Sequence, residues 1–417
     1  MSNPFILQDK NMGNAIKDLC RPIASLRLTV VLMAMSIVLI FSATWAQIDN
    51  GIWHVVEKYF RSFVVWVPLQ VFLPRPEIGK QIFPGAFPWP GGTTLGLLLL
   101  INLLAAHATR FKLTLKRSGI ILIHTAIILL LVGEGITGAF ALETQMPIYE
   151  GQTTRWAHDI REVELAVVNH AFPEHDQVLA ISQSALEQRS VIDHVRLPFQ
   201  IRVERFMPNA IVQRRVPNDT DPPQADHGLG VTHRVIEQSR VTGVGAQSVD
   251  PPAIIIQIRR EDESLGRFVL SPLFRQDDIR IVGQRVQVED QQYHLYLRFR
   301  RYYKPYAIRL NEFSHDRYTG TKIAKNFSSD IHLSDPTHHE DRNVLIYMNH
   351  PLRYHGETFY QANWLRKSDD GPDFGTVLQV VDNPAWQTPY IACLLAGTGM
   401  LIHFGMTLIR FLRHQTA

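Results

Sequence analysis

Two histidines interrupt apolar stretches of this 417-residue chain, one on each side of a short basic turn. His107 lies in GGTTLGLLLLINLLAAHATRFK and His124 in RSGIILIHTAIILLLVG, while His403 lies in the last apolar run, TPYIACLLAGTGMLIHFGMTLIR. An imidazole in hydrocarbon usually faces a partner, a cavity or a cofactor, because exposing it to lipid is costly. Neutral imidazole ligates iron, and haem takes one or two axial histidines. The three positions therefore predict a haem-binding set; the alternative is that each ring packs, hydrogen-bonds a carbonyl or snorkels.

Apolar helices must position these rings. Four runs have the length of a membrane helix, at about 24–44, 92–109, 118–141 and 388–409. A shorter run at 63–73 contains Pro68 and is too short to cross, so we expect an interfacial segment there.

The orientation follows from basic residues close to the spans. The turn between the second and third spans carries Arg110, Lys112, Lys116 and Arg117. Positive charge marks cytoplasmic loops, so this turn, the N-terminus and the C-terminal tail are predicted to be cytoplasmic. The long region at 142–387 then lies outside the cytoplasmic membrane.

The depth of the three histidines is similar by residue count. At about 1.5 Å per helical residue, His107, His124 and His403 lie within roughly 5–10 Å of the inner edge of the hydrocarbon. The short turn places His107 and His124 on neighbouring antiparallel helices. An apolar bundle suits a porphyrin face, and Arg110, Lys112 and Arg117 would then meet its propionates.

The region outside the membrane alternates apolar and polar residues, as strands do. The strand-like segments lie at 199–206, 254–260, 279–288, 293–303, 343–348 and 358–364, and 181–195 is the best helical candidate. The predicted fold is an α+β membrane protein with four transmembrane helices and a large β-rich extracytoplasmic domain, of sandwich or barrel type, between the third and fourth. Whether that domain is one unit or two halves is left open. The predicted segments are a cytoplasmic N-terminus (1–23), a span (24–44), an outer loop with the interfacial segment (45–91), a span (92–109), a cytoplasmic turn (110–117), a span (118–141), the β-rich domain (142–387), a span (388–409) and a cytoplasmic tail (410–417).

Several classes of function lack the residues that they require. The two cysteines, Cys20 and Cys393, lie outside the β-rich region, so that region has no disulfide and no thiol-exchange motif. No hydrolase or kinase motif is present, and no catalytic residue is predicted. The strip YLRFRRYYKPYAIR at 296–309 mixes arginine with tyrosine. Outside the membrane no nucleic-acid partner is expected, so it is either a solvated basic face or a contact for an anionic ligand or client polypeptide.

One long motif carries a family resemblance. IYMNHPLRYHGETFYQANW at 346–364, followed by VLQVVDNPAWQTPY and a final span, resembles the ResB family of system II cytochrome c maturation. The resemblance continues in LINLLAAHATRFK, KRSGIILIHTAIILLLVG and ALETQMPIYEGQT, and in the layout of three spans, an outer domain and a fourth span. It extends from about residue 20 to 412.

The resemblance implies a bacterial inner-membrane protein that works beside a CcsA-like haem-handling subunit. Together they would carry haem b, held transiently and without a covalent bond, across the membrane and present it to apocytochrome c. The partner's tryptophan-rich motif is absent here, so we expect the non-catalytic half of a haem-attachment complex. The family's intramembrane histidine would map to His107 or His124; His403 is added from its position alone. The motif residues Asn349, Pro351, Gly356 and Tyr360 either shape a turn and strand or contact client or haem.

Two other functions are alternatives to haem delivery. A cofactor-free scaffold would hold apocytochrome or a partner subunit with the outer domain, and its histidines would only pack. A haem b subunit that exchanges electrons with quinone would need ligands near both membrane faces, whereas the spans place histidines only toward the inner one.

Overall fold

The computed structural model describes residues 21–73, 83–110, 114–171, 175–216, 221–239, 250–261, 263–276, 279–317, 324–366 and 373–415. Most of the predicted cytoplasmic N-terminus, Cys20 and Lys112 lie outside these residues, as does the side chain of Arg110. The described chain forms two compact units: a helical unit of residues 21–141 and 383–415, and a β-domain within 142–382.

Five α-helices are described. They are α1 (Leu26–Val55), α2 (Gly92–Arg110), α3 (Ser118–Phe140), the short α4 (Gln183–Gln188) and α5 (Thr388–Gln415). All but α4 contain a stretch long and apolar enough to cross a membrane. Most side chains in these stretches are exposed, as expected where lipid rather than protein covers apolar residues. Together with the β-domain between α3 and α5, this confirms the predicted fold class.

Small residues let α3 and α5 approach closely. Gly119, Ala126 and Gly133 are buried on α3 at a spacing of seven, and Ala392 and Gly399 are buried on α5 at the same spacing. A methyl group built on Gly399 would lie 2.7 Å from the carbonyl oxygen of Gly119. Residues seven apart share one face of a helix, so each helix presents a groove of small side chains to the other.

The predicted interfacial segment forms a small antiparallel ribbon. Strand β1 (Val64–Pro68) pairs with β2 (Ala86–Pro90), and a 3₁₀ turn (Leu69–Phe72) follows β1. The indole Nε1 of Trp89 donates to the carbonyl oxygen of Met35 at 3.2 Å, which ties the ribbon to α1.

The β-domain contains the remaining described strands. They are β3 (Leu142–Tyr149), β4 (Thr153–Asn169), β5 (Gln177–Ser182), β6 (Val191–Ile192), β7 (Gln200–Met207), β8 (Ala210–Arg214), β9 (His233–Glu237), β10 (Ala253–Arg260), β11 (Glu263–Leu270), β12 (Gln284–Val288), β13 (Gln291–Arg317), β14 (Ala324–Asp335), β15 (Glu340–Tyr347), β16 (Leu352–Tyr354), β17 (Glu357–Arg366) and β18 (Asp373–Asp382). Ten of them form one sheet, with β15-β14-β13-β4-β3-β18-β17-β16 as its path and β5 and β12 attached.

Two hydrophobic cores share the long strands β4 and β13. In one core the main sheet curls until β15 contacts β17, and Met146, Ile308 and Leu378 lie inside. In the other core, the C-terminal half of β4 and the N-terminal half of β13 pack against the four-stranded sheet β11-β10-β7-β6. The domain is therefore one unit that combines a barrel-like curl with a sandwich-like pair of sheets.

The helix expected at 181–195 is much shorter than predicted. Only Gln183–Gln188 is helical, while β5 ends at Ser182 and β6 begins at Val191. The apolar Ile181, Leu186 and Ile192 all enter the core beneath the sheets. Burial against neighbouring strands outweighs the weak local helix propensity of this stretch.

Candidate functional site

His107 lies near the end of α2, with its ring turned toward α3. Its Nδ1 donates to the carbonyl oxygen of Leu103 at 2.9 Å, one helical turn earlier. This bond assigns the proton to Nδ1 and directs the lone pair to Nε2, the nitrogen that then ligates metal. Nε2 is itself shielded from solvent.

His124 meets His107 from the neighbouring helix. The two ring centroids are 5.2 Å apart, and the ring planes cross at 74°. His124 lies about 160° around α3 from Ala126, at 100° per residue, so the face that packs on α5 differs from the face that carries this ring. The structure therefore brings together two of the three predicted site residues.

The spacing decides how a porphyrin fits this pair. Two axial imidazoles on opposite faces of one iron would have centroids about 6 Å apart, since each metal–nitrogen bond is about 2 Å. At 5.2 Å and edge to face, no porphyrin plane passes between His107 and His124. The pair would hold an iron porphyrin through one of the two histidines, with the other ring packed beside the first.

His403 is not part of that pair. A methyl group built on Gly119 would lie 2.8 Å from Cβ of His403, so His403 is level with Gly119. His124 is five residues further along α3, which is about 7.5 Å deeper. In the part of the chain that the structure describes, no group of three histidine, cysteine or carboxylate residues is placed to hold a metal ion. The similar depth expected for the three histidines is not seen for His124 and His403, and ligation by any of the three stays a prediction.

Sequence reasoning missed Asn102, which holds α2 against α1. Its side chain is buried, accepts from Thr29 Oγ1 at 2.6 Å and donates to the carbonyl oxygen of Ser25 at 3.2 Å. Asn102 precedes His107 by five residues, so these bonds help to set the position of the histidine. A lone amide within LLLLINLLAA was the available signal.

The motif at 346–364 forms a turn and a hairpin. Asn349 adopts a positive φ of 64°, and His350 stacks on Tyr347 with centroids 4.1 Å apart. Strands β16 and β17 are joined by His355 and Gly356, whose φ values are 52° and 81°. Two consecutive positive φ values are typical of the tight hairpin turn that favours glycine.

Comparison with known proteins finds a family match over a segment that includes this hairpin. Residues 273–372 match the sequence model of the ResB-like family.

The resemblance to the ResB-like family is confirmed.

Related proteins match a similarly limited length. The chain is 35% identical over 98 residues to the cytochrome c biogenesis protein CcsB of Crocosphaera subtropica, covering 24% of this chain and 20% of that protein. It is 35% identical over 86 residues to CcsB of Picosynechococcus, covering 21% and 17%. It is 28% identical over 97 residues to protein NrfI of Wolinella succinogenes, covering 23% and 10%. The chain thus spans a fifth or less of each relative, and the family match is narrower than the predicted 20–412.

Within the ResB-like segment, motif side chains complete a buried polar network. Asp335 is fully buried and accepts from the Tyr354 hydroxyl at 2.6 Å and from Nδ1 of His338 at 2.8 Å. Glu357 accepts from the Tyr306 hydroxyl and pairs with Lys304. Burial, then the bond to Glu357, raises the pKa of the Tyr306 hydroxyl far above its usual range. Motif residues Tyr354 and Glu357 thus bind the β-domain to itself.

The arginine-rich strip at 296–309, within the ResB-like segment, has arginines in both exposed and buried positions. Arg300 is exposed and pairs with Glu162 at 3.2 Å, as a solvated face predicts. Arg298 is buried and pairs with Glu164 at 2.9 Å. Arg301 lies over the Trp156 ring, with its guanidinium carbon 3.9 Å from the centroid. The solvated-face alternative therefore describes Arg300, while a contact of the strip with an anionic ligand or client polypeptide stays a prediction.

Proposed function

We propose that this chain is a multi-pass membrane component of cytochrome c maturation. In this proposal the chain holds haem b at His107 and His124 and hands it, with a CcsA-like subunit, to apocytochrome c outside the cytoplasmic membrane. The observation that carries the proposal is the imidazole pair packed between apolar helices α2 and α3. The ResB-like segment and the similarity to CcsB and NrfI proteins support the pathway.

The two histidines have different tasks in this proposal. Haem supplies an iron that accepts an imidazole lone pair, and His107 offers Nε2 because Nδ1 is held by Leu103. His124 packs against the edge of that ring and restricts its rotation. The apolar side chains of α2 and α3 keep water from the iron and cover the porphyrin face.

The basic turn sets the direction of transfer. Lys116 and Arg117 lie in the 3₁₀ turn that precedes α3 and are exposed. Positive charge beside a span favours the cytoplasmic side, so haem would enter at the α2–α3 turn. Because α3 then leads outward, the β-domain would face the compartment in which cytochromes c mature.

Absorption spectroscopy of the purified full-length chain tests the haem site. We expect a b-type Soret band that is lost or shifted in His107→Ala and weakened in His124→Ala. Thr125→Ala is the matched control, because Thr125 is exposed and donates to the carbonyl oxygen of Ile121 one turn away. Identical spectra in wild type, His107→Ala and His124→Ala would contradict the proposal.

A cofactor-free scaffold is the second candidate. The β15–β17 region exposes Leu345, Met348 and Tyr360, apolar side chains of the kind that contact another protein. Cytochrome c yield in cells whose chain lacks His107, His124 and His403 discriminates the two. Normal yield favours the scaffold, and loss of mature cytochrome favours haem handling.

A further inference from the structure

The β-domain contains a half-open cavity of about 540 Å³. It lies where β4 and β13 pass from one core to the other, at a break in their pairing. Phe299 pairs with Val163 and Arg301 with His158, so four residues of β4 bulge opposite Arg300. Cavities of this size are in the range that holds cofactors and other small ligands.

The charge of this cavity is positive. Arg275, Arg298 and Arg301 line it, and no acidic residue is among its described lining. Arg298 is neutralised by Glu164. Within the described chain no carboxylate lies at ion-pair distance from Arg275 or Arg301; Arg275 Nε donates to the Pro272 carbonyl oxygen at 2.9 Å. Guanidinium groups favour an anionic ligand and bind carboxylates through paired hydrogen bonds.

Flat aromatic side chains form other parts of the wall. Trp156 lies beneath Arg301, and Trp364 stacks on Phe327 with centroids 5.1 Å apart and planes 19° from parallel. Both indoles line the cavity. Rings that are already stacked lose little entropy when a ligand binds, so these walls suit a flat apolar body.

His158 brings a metal-binding group into the same cavity. Its Nδ1 donates to the carbonyl oxygen of Asp159 at 2.7 Å, and its ring stacks on Phe299 at 5.7 Å. Burial lowers the pKa of His158, and the nearby Arg301 charge acts in the same direction. A ring whose Nδ1–H is held by a carbonyl has the arrangement of a metal-ligating histidine, with the lone pair on Nε2.

We infer that this cavity is a second porphyrin site, which takes an iron porphyrin carrying carboxylates. His158 Nε2 ligates the iron, Arg275 and Arg301 bind the carboxylates, and Trp156 and Trp364 cover the ring faces. The choice of an iron porphyrin rather than another flat anion rests on the proposed function. The positive charge, the aromatic walls and the imidazole of the cavity are features of the structure and do not depend on that proposal. The chain then holds its cargo at one site between membrane helices and at another in the β-domain.

Haemin titration of the full-length chain, solubilised in detergent and carrying His107→Ala and His124→Ala, isolates the second site. We expect a Soret band of bound haem in this background. Adding His158→Ala shifts the band and lowers haemin affinity about tenfold or more. Arg301→Gln lowers the affinity about tenfold, because it removes a charged hydrogen bond. The matched control is Arg300→Gln, whose parent is exposed and paired with Glu162, and it leaves affinity unchanged.

Titration with iron-free protoporphyrin separates ligation of the iron from recognition of the porphyrin ring and its carboxylates. Protoporphyrin affinity falls in Arg301→Gln and is unchanged in His158→Ala, while the dimethyl ester loses the dependence on Arg301. His158→Gln, compared with the parent by thermal unfolding, shows whether loss of binding reflects loss of the fold. Haemin affinity that is the same in the parent, His158→Ala, His158→Gln and Arg301→Gln overturns the inference. The proposed function is tested apart from this, by the spectra of His107→Ala and His124→Ala with the cavity intact.

Discussion

Arg298 and Glu164 form an ion pair inside the β-domain, with each side chain 8% exposed. Their strands pair directly at these positions, so the charges face each other in register. Two residues along β13, Arg300 meets Glu162 on the exposed surface instead. A buried charge that loses its partner costs far more than an exposed one, because water cannot replace the lost interaction.

Glu164→Gln is therefore expected to lower the free energy of unfolding of the β-domain by about 3–5 kcal/mol. Glu162→Gln removes the partner of an exposed arginine and should change it by less than about 1 kcal/mol. Chemical denaturation of the two variants, followed by tryptophan fluorescence, measures both. Equal effects would show that burial does not govern this pair.

Asp335 makes the stability of the β-domain depend on pH in the acid range. The Tyr354 hydroxyl holds the pKa of this carboxyl below its ordinary value of 3.8, and His338 contributes in the same direction. A lowered pKa in the folded state stabilises the fold above about pH 4, and this stability is lost as pH falls through the folded-state value. In thermal melts between pH 7 and pH 3, Asp335→Asn should flatten the fall in Tm at the acid end. A variant whose melting curve keeps the full acid dependence would exclude Asp335 as its source.

At the scale of the elements, α3 contacts two neighbouring helices, α5 and α2, through two different faces. Gly119, Ala126 and Gly133 face α5, while His124 faces α2. The close approach of α5 fixes the rotation of α3 and thus the direction of the histidine. Packing of small residues is a source of helix association in lipid, where apolar burial contributes little.

Gly399→Val should weaken this packing by about 1–3 kcal/mol, since the added atoms meet the α3 backbone. Gly397→Val places the same β-branched side chain in the same helix, with the same cost in helix propensity, but the added atoms extend into open space. Thermal unfolding in detergent compares the two variants. If Gly397→Val is as destabilising as Gly399→Val, valine's helix propensity rather than the contact explains the loss.

At the scale of the whole molecule, the proposal requires the α2–α3 turn and the β-domain to lie on opposite sides of the membrane. Leu115 in the turn is 88% exposed and Val195 in the β-domain is 97% exposed. Either position accepts a cysteine without disturbing packing.

In a chain with Cys20→Ser and Cys393→Ser, a membrane-impermeant maleimide should label Val195→Cys in intact cells. Leu115→Cys should be labelled only after the cytoplasmic membrane is permeabilised. The reverse pattern would invert the orientation and, with it, the direction of haem transfer. Labelling of both in intact cells would place the turn and the β-domain on the same side.

The sequence by itself determined the features that depend on local partition between water and an apolar phase. Uninterrupted apolar runs identified the four helices that are long and apolar enough to cross a membrane, and alternation identified six of the described strands of the β-domain, because each residue's preference is set by its own side chain. The helix at 181–195 was overestimated, since neighbouring strands decided its conformation. Only the tertiary structure decided which histidines meet: His124 contacts His107, while His403 is level with Gly119. It likewise decided that Arg301 packs on Trp156 while Arg300 is exposed to solvent. Helix rotation, strand register and the bulge in β4 set these directions, and each depends on contacts between residues far apart in the chain.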